Sequence, residues 1–291
     1  MITASLLAAS LAKLNIEGAT YVPDAASGQM VFDVKNAHAL TQAAGYLKFI
    51  GGPRKKAIFF RGQTKLYTGL LPGLFRGGFA SRHAQDTRIV ALKRAVDDIA
   101  GRIRLMASFG RYAYEPLLQH YGFRTSWIDL VDNVWVALWF ACREAHATGE
   151  LGQYLHFERR KDVNSFAYIL LIAVDIAENF ASKPGLSKGP TTECVDLRIA
   201  CPSLFLRPHA QHGVLFRMRG DRLRRPLDYS SEICGIIRIP LAEAQSWLGD
   251  GTTLGTHALF PPPFYDFGYR FFINSKFQGN KIVGAFHHIG T

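Results

Sequence analysis

An apolar and aromatic run between positions 117 and 141 is interrupted by polar residues at fixed places, and this run constrains the fold most. The apolar residues alone would fill a core. The polar residues among them include His120, Thr125 and Asp129, and each would cost about 1–3 kcal/mol if it were buried without a hydrogen-bond partner. We therefore expect this segment to form the wall of a site, and not only the interior of a domain.

The other apolar patterns predict an α+β domain over residues 51–291. Amphipathic spacing predicts a helix at 86–107, and a segment that is apolar on nearly all sides predicts a central helix at 134–147. Short apolar runs rich in β-branched and aromatic residues predict strands at 58–60, 168–174, 214–218 and 233–239. The first of these strands is expected to end before Arg61, and residues 178–192 are expected to form a loop.

Residues 1–50 are predicted to form a helical N-terminal preface, because their leucines recur at helical spacing on either side of a turn near Gly28. The boundary with the main domain is expected near Gly51-Gly52-Pro53, since glycine and proline interrupt regular structure. The first residues carry no basic segment before their apolar positions. We therefore interpret them as a short amphipathic helix and not as a signal peptide.

The chain is basic, with 34 Lys and Arg residues against 23 Asp and Glu and a formal net charge of +11. This balance favours phosphate-rich partners such as nucleic acid or a dinucleotide, although it also serves solubility alone. The densest basic tract supplies a candidate nucleic-acid-binding surface, which consists of Arg207, Arg217, Arg219, Arg222 and Arg224. A solvated basic edge without a ligand is an equally good interpretation of this tract.

Four cysteines are scattered along the chain with no Cys-x-x-Cys pair, so neither a zinc site nor a disulfide framework is expected. No metal is predicted, and reduced thiols favour the cytoplasm. No apolar run reaches the about 18 residues of a membrane span. The sequence lacks the motifs of P-loop hydrolases, Rossmann dehydrogenases, zincin proteases and α/β-hydrolases, so these four chemistries are disfavoured.

Two motifs resemble the FRG family, a bacterial domain named after its Phe-Arg-Gly motif. The first motif is Phe60-Arg61-Gly62, followed by Gln63. The second begins at Gln119-His120-Tyr121-Gly122 and continues through a hydroxyl residue and an Ile-Asp pair to an aromatic helix that ends at Ala141. Weaker matches extend the resemblance over residues 59–262.

The order of polar residues is also similar to one branch of the ADP-ribosyltransferases, in which an aromatic-Arg-Gly motif ends the first strand and holds NAD. This resemblance implies a mixed or antiparallel sheet with flanking helices, and NAD as a substrate. It assigns NAD contact to Arg61, the hydroxyl role to Thr125 or Ser126, and the late polar position to Gln211. Those enzymes usually carry Glu there, whose charge stabilises the cation formed as nicotinamide leaves, whereas Gln supplies only a dipole. Asp129 is the alternative carboxylate.

The residues expected to act in catalysis are Arg61, Thr125, Asp129 and Gln211. The residues expected to contact NAD are Arg61, Gly62, Gln63, His120, Tyr121 and Thr125. Three of these have a purely structural alternative. Arg61 would pair internally with Asp129, His120 would be a satisfied core histidine, and Asp129 would cap the following helix, although Asp132 suits that cap better by position.

Together the resemblances imply an NAD-dependent enzyme that transfers ADP-ribose to a macromolecule, and the basic tract favours a nucleic acid as the acceptor. The setting they imply is a bacterial toxin or a phage-defence effector, with an antitoxin or immunity protein as a possible partner. A non-catalytic nucleic-acid-binding module on the same scaffold is the main alternative. A third is hydrolysis of a nucleotide or sugar phosphate by Asp129 and His120.

Overall fold

The computed structural model describes residues 3–77, 81–162, 164–220, 227–249 and 254–290. Its helices are α1 (Ala4–Ala12), α2 (Ala37–Gly51), α3 (Arg82–Arg102), α4 (Tyr114–His120), α5 (Val134–Ala141), α6 (Leu197–Ala200), α7 (Leu206–Ala210), α8 (Leu241–Trp247), α9 (Thr256–Leu259) and α10 (Phe267–Asn274). None of the helices within these ranges is long and apolar enough to cross a membrane.

The strands lie between these helices along the whole of the described chain. They are β1 (Ala19–Pro23), β2 (Met30–Val34), β3 (Lys56–Gln63), β4 (Ile128–Val131), β5 (Arg143–Thr148), β6 (Tyr154–Arg159), β7 (Phe166–Asp175), β8 (Glu178–Asn179), β9 (Leu186–Lys188), β10 (Thr192–Asp196), β11 (Gly213–Met218), β12 (Ile233–Pro240) and β13 (His288–Gly290).

Ten strands form the main sheet, in the order β1-β2-β12-β7-β3-β4-β11-β10-β9-β8. Neighbouring strands are antiparallel, except that β2 and β12 run parallel. The other three strands form a small sheet in the order β13-β6-β5. The expected α+β class with a mixed, largely antiparallel sheet is therefore confirmed.

The central strand β7 is buried on both faces of the main sheet. Ile169 and Leu171 belong to the core that α1, α2 and α5 cover, and Leu170 and Ile172 belong to the core on the opposite face. Successive side chains of a strand point to opposite faces. A strand covered on both sides must therefore be apolar at every position, which explains its unbroken hydrophobic run.

The preface differs from the expectation of helices alone. It contains α1 and α2, but also the hairpin of β1 and β2, and β2 pairs with β12 in the main sheet. The leucine spacing does not reveal this hairpin, because β1 is largely exposed and has no alternating apolar pattern. The expected boundary at Gly51-Gly52-Pro53 falls where α2 ends and a short 3-10 turn leads into β3.

Three other expectations need correction. The central helix α5 ends at Ala141, because the next residues are largely exposed and pair as β5 with β6. The predicted loop at 178–192 contains the short strands β8 and β9. The first strand does not end before Arg61, because β3 continues to Gln63 through its pairing with β7. The predicted strands of β7, β11 and β12 are confirmed.

Candidate functional site

The candidate site begins where two neighbouring strands separate. β3 and β4 pair only at Phe60 and Val131. Beyond that pair β3 stays bonded to β7, and β4 stays bonded to β11. Arg61 spans the gap, because its Nη1 donates a hydrogen bond of 2.7 Å to the backbone carbonyl oxygen of Asp129. A side-chain donor thus replaces the missing bonds between the two strands.

A cavity of about 1010 Å³ opens at this gap. Its volume lies at the upper end of the ~300–1,000 Å³ that is typical of small-molecule sites. Six cationic side chains line it, namely Arg61, Lys65, Arg76, Arg143, Arg160 and Lys161. Its carboxylates are Asp129, Glu144 and Asp162. The excess of positive charge fits an anionic ligand.

Asp129 is the carboxylate at the separated strands, and two side chains of α4 fix it. Gln119 Nε2 donates to Asp129 Oδ2 at 2.7 Å, and His120 Nδ1 lies 3.4 Å from Asp129 Oδ1. Burial alone would raise the pKa of Asp129, but His120, Gln119 and the charge of Arg61 together hold this pKa below its ordinary value. Asp129 is therefore an oriented, ionised carboxylate at neutral pH.

Arg61 faces the same cavity with unused hydrogen-bonding capacity. Its Nε is buried and has no hydrogen-bond partner among the described residues. Within the same residues no carboxylate lies at ion-pair distance from it, so the internal Arg61–Asp129 side-chain pair is not formed. Burial lowers the pKa of Arg61, and the nearby charge of Arg76 lowers it further. A buried guanidinium in this state would gain from a bound anion.

Thr125 does not line the cavity. It is fully buried, and its hydroxyl donates to Oε1 of Gln119, which in turn holds Asp129. The hydroxyl also accepts a hydrogen bond of 3.1 Å from the backbone N–H of Trp127. The structure therefore places Thr125 behind Gln119 as a support for Asp129, and not beside Arg61 as the resemblance implied.

Gln211 lines the cavity, but its amide is already engaged. Its Nε2 donates to the carbonyl oxygen of Leu259 at 2.7 Å. His287 lines the cavity nearby, and burial, aided by the charge of Arg207, lowers the pKa of His287 to about 4. His287 is therefore neutral at physiological pH. Of the expected trio, Arg61 and Gln211 share the cavity and Thr125 does not.

Of the remaining residues expected to contact NAD, three line the cavity and one does not. Gly62, Gln63 and His120 line the cavity. Tyr121 is fully buried away from the cavity, where its hydroxyl donates to Asp266 at 2.7 Å. Burial raises the pKa of Tyr121 well above its ordinary value, so this phenol remains a neutral core group.

The helix α5 explains why position 62 is glycine. A Cβ there would lie 1.8 Å from the carbonyl oxygen of Ala137 and 2.9 Å from the backbone N of Ala141. The close approach that Gly62 permits is therefore that of a helix backbone. His120 depends on a second glycine in the same manner, because a Cβ at Gly213 would lie 2.7 Å from its ring.

Two described arginines of the basic tract, Arg207 and Arg217, are held by neighbouring side chains. Arg207 is buried, and its guanidinium lies over the rings of Tyr121 and Tyr269 at 4.4 and 4.8 Å. A surface role for Arg207 is therefore wrong, because its aliphatic stem and planar head fill an aromatic core. Arg217 pairs with Glu193 and lies over Trp127.

Arg219 is exposed, and its Nη1 donates to the backbone carbonyl oxygen of Gly189. Arg222 and Arg224 lie outside the described residues.

Two residues of the cavity have no role in the sequence analysis, namely Gln119 and Arg143, although Gln119 stands in the Gln-His-Tyr-Gly motif. Arg143 could not be found from the sequence, because its place at the cavity follows from the early end of α5. Among the described residues no group of three His, Cys, Asp or Glu side chains is arranged to hold a metal ion.

The fold and the cavity define an α+β protein with a cavity of mainly cationic lining between two separating antiparallel strands. Residues 56–150 match the family model of the FRG domain. The match runs from β3 to the turn after β5, so it includes Arg61, Gln119 and Asp129, and it confirms the FRG resemblance. No curated protein and no solved structure matches the chain, and the resemblance to ADP-ribosyltransferases stays a prediction.

Proposed function

We propose that the chain is an NAD-dependent ADP-ribosyltransferase that binds NAD in the cavity and transfers ADP-ribose to a nucleic acid. One observation carries the proposal: a guanidinium with unused donors and an oriented carboxylate line the same large cationic cavity. An anionic dinucleotide needs the first group, and a reaction with a cationic transition state needs the second.

The diphosphate of NAD is assigned to Arg61. A planar guanidinium donates two parallel hydrogen bonds to a phosphate, and Arg76 and Lys65 add positive charge in the same cavity. A bound diphosphate would supply the buried Nε of Arg61 with an acceptor. It would also offset the positive charges of Arg61 and Arg76, since burial and then the charge of Arg76 lower the pKa of Arg61.

The charge-stabilising role is assigned to Asp129, in place of Gln211. The bond between ribose C1′ and the nicotinamide nitrogen breaks, and its electron pair neutralises the pyridinium ring. The positive charge left on the ribose is stabilised by the nearby carboxylate. An oxygen or nitrogen of the acceptor then bonds to C1′ and releases its proton to solvent. Gln119, His120 and Thr125 act through Asp129 by fixing its orientation.

The decisive experiment measures nicotinamide release from NAD by the purified chain, with DNA and RNA as acceptors. Asp129→Asn keeps the size of the side chain and removes its charge, so we expect release to fall about a hundred- to a thousandfold. Arg61→Ala should raise the KM for NAD, because it removes the phosphate ligand.

Asp132→Asn is the matched control. Asp132 is three residues after Asp129, but it does not line the cavity and forms ion pairs with Lys48 and Arg198. We expect it to release nicotinamide at close to the wild-type rate. Equal loss in the Asp129 and Asp132 variants would contradict the role of Asp129. No release by the wild type with any acceptor, combined with salt-sensitive nucleic-acid binding, would favour the non-catalytic module. The toxin or phage-defence setting and an immunity partner stay predictions.

A further inference from the structure

Large aromatic side chains are exposed in a short segment near the end of the chain. Phe264 and Tyr265 are 74% and 64% exposed, and Phe267 and Phe271 are 42% and 47% exposed. We call these four side chains, together with Arg270, the aromatic face. The ring centres of Phe264 and Tyr265 lie 4.9 Å apart. Single exposed apolar residues are common, whereas several exposed aromatic side chains in one short segment are typical of an interaction site.

The helix α10 explains why Phe267 and Phe271 point outward. Its inner side is fixed by the buried Tyr269 and Phe272, and by Gly268, where a Cβ would lie 2.0 Å from the ring of Phe205. Phe267 and Phe271 are four residues apart and therefore lie one above the other on the outer side.

The charge of the aromatic face is positive. The Arg270 guanidinium lies 4.4 Å from the centre of the Phe267 ring, and no carboxylate among the described residues is at ion-pair distance from it. The one acidic residue of 254–290 is Asp266, which is fully buried and caps α10. The face therefore complements a polyanion that also offers flat apolar surfaces.

The aromatic face is connected to the cavity. Phe260 lines the cavity and stands four residues before Phe264, so their Cα atoms lie within about 14 Å of each other even if the chain between them is fully extended. The backbone N–H groups of Tyr265 and Asp266 both donate to the carbonyl oxygen of Pro262, which makes this connection a compact turn.

We propose that the aromatic face binds single-stranded nucleic acid by stacking its bases on Phe264, Tyr265, Phe267 and Phe271, with Arg270 at the phosphates. Unpaired bases expose faces that a duplex hides, and aromatic side chains beside positive charge are the usual means of binding them. The inference deepens the proposed function by naming its acceptor. It rests on that function only for the transfer step, since the binding itself needs no NAD.

The test measures fluorescence anisotropy of labelled oligonucleotides with the full chain and without NAD. Single-stranded DNA and RNA of about 16 nucleotides, near the upper end of such site sizes, are compared with a duplex of the same sequence. We expect Phe264→Ala and Phe271→Ala each to weaken single-strand binding about five- to a hundredfold. Phe264→Tyr keeps the ring and should bind as the wild type does. Arg270→Gln should reduce the slope of the logarithm of the binding constant against the logarithm of salt concentration by about one.

Phe49→Ala is the matched control, because Phe49 is 77% exposed on α2, a helix that packs against β3 and α1. It should bind as the wild type does. Unchanged affinity in the Phe264 and Phe271 variants, or an equal loss in the Phe49 variant, would overturn the inference. Two other results for the Phe264 and Phe271 variants would also overturn it. One is that the wild type sediments as a dimer and the variants do not, and the other is that the wild type binds phosphatidylserine vesicles and the variants do not, in each case with oligonucleotide binding intact.

Discussion

At the residue scale, the neighbours of each ionisable group decide its charge in the cavity. Asp129 stays ionised because its hydrogen bonds outweigh its burial. His287 stays neutral because burial acts on it in the same sense as the positive charges of Arg207 and Arg124. The cavity therefore combines a stable anion with a neutral imidazole at physiological pH.

The state of His287 predicts acid sensitivity of the fold. Burial lowers its pKa to about 4 in the folded chain, whereas an unfolded histidine titrates near about 6.5. Between these pH values His287 is protonated in the unfolded chain and neutral in the folded chain. The free energy of unfolding therefore decreases as the pH falls. Urea unfolding should show that His287→Gln loses about 2 kcal/mol less than the wild type between pH of about 7 and about 4.5.

An exposed histidine provides the comparison. His83 lies at the solvent-facing start of α3, and His83→Gln should lose as much stability over this pH interval as the wild type. If the two variants showed the same loss, the acid sensitivity would have to come from other groups. Comparing the change with pH, and not the absolute stability, removes any packing effect of the substitution itself.

At the element scale, local pattern predicts the elements that are buried on a defined face. β7 and α3 follow from their apolar spacing, whereas the exposed hairpin strand β1 carries no such signal. The site was predictable only in part, because local motifs reveal single residues and not which residues meet in the fold. Local motifs singled out Arg61 and Asp129, but their meeting depends on strand pairing between residues far apart in the chain.

Long-range packing also explains why the expected place of Thr125 beside Arg61 is not observed. Thr125 belongs to the right motif, but the turn before β4 directs its side chain to Gln119 and away from the cavity. The prediction of a surface role for Arg207 follows from its place in the densest basic tract of the sequence. Only the fold shows that Tyr121 and Tyr269 enclose it.

The contact between α5 and β3 yields a prediction about the family motif. Gly62→Ala would place a methyl group against the helix backbone at Ala137, and a backbone cannot move aside as a side chain does. We expect a loss of about 3 kcal/mol in the free energy of unfolding, the upper end of the usual cost of overpacking, measured by urea denaturation.

Gly45→Ala tests the same substitution at an exposed position inside α2, where a Cβ meets nothing within 4 Å and the backbone is helical. We expect it to stabilise the fold by about 0.4–1 kcal/mol, because alanine restricts the unfolded chain. A Gly62→Ala protein as stable as the wild type would show that α5 does not rest on this strand.

At the scale of the whole molecule, the preface and the rest of the chain share one sheet and one core. Leu7 and Leu11 of α1 belong to the same apolar cluster as Ile169 and Leu171 of β7. Across the sheet, Arg238 of β12 pairs with Asp33 of β2 and with Asp24 beyond the hairpin strand β1. These contacts predict that the chain unfolds as a single cooperative unit.

Leu11→Ala tests this cooperativity, because Leu11 is buried in the preface against β12 and all four tryptophans lie after residue 51. Tryptophan fluorescence therefore reports only on the main domain. If the molecule is one unit, the substitution should lower the free energy of unfolding in that signal by about 2–5 kcal/mol. Leu6→Ala, on the exposed side of the same helix, should change it by less than about 0.5 kcal/mol. An unshifted tryptophan transition in the Leu11 variant would instead establish residues 1–50 as a separate folding unit, since damage confined to the preface would then leave the main sheet intact.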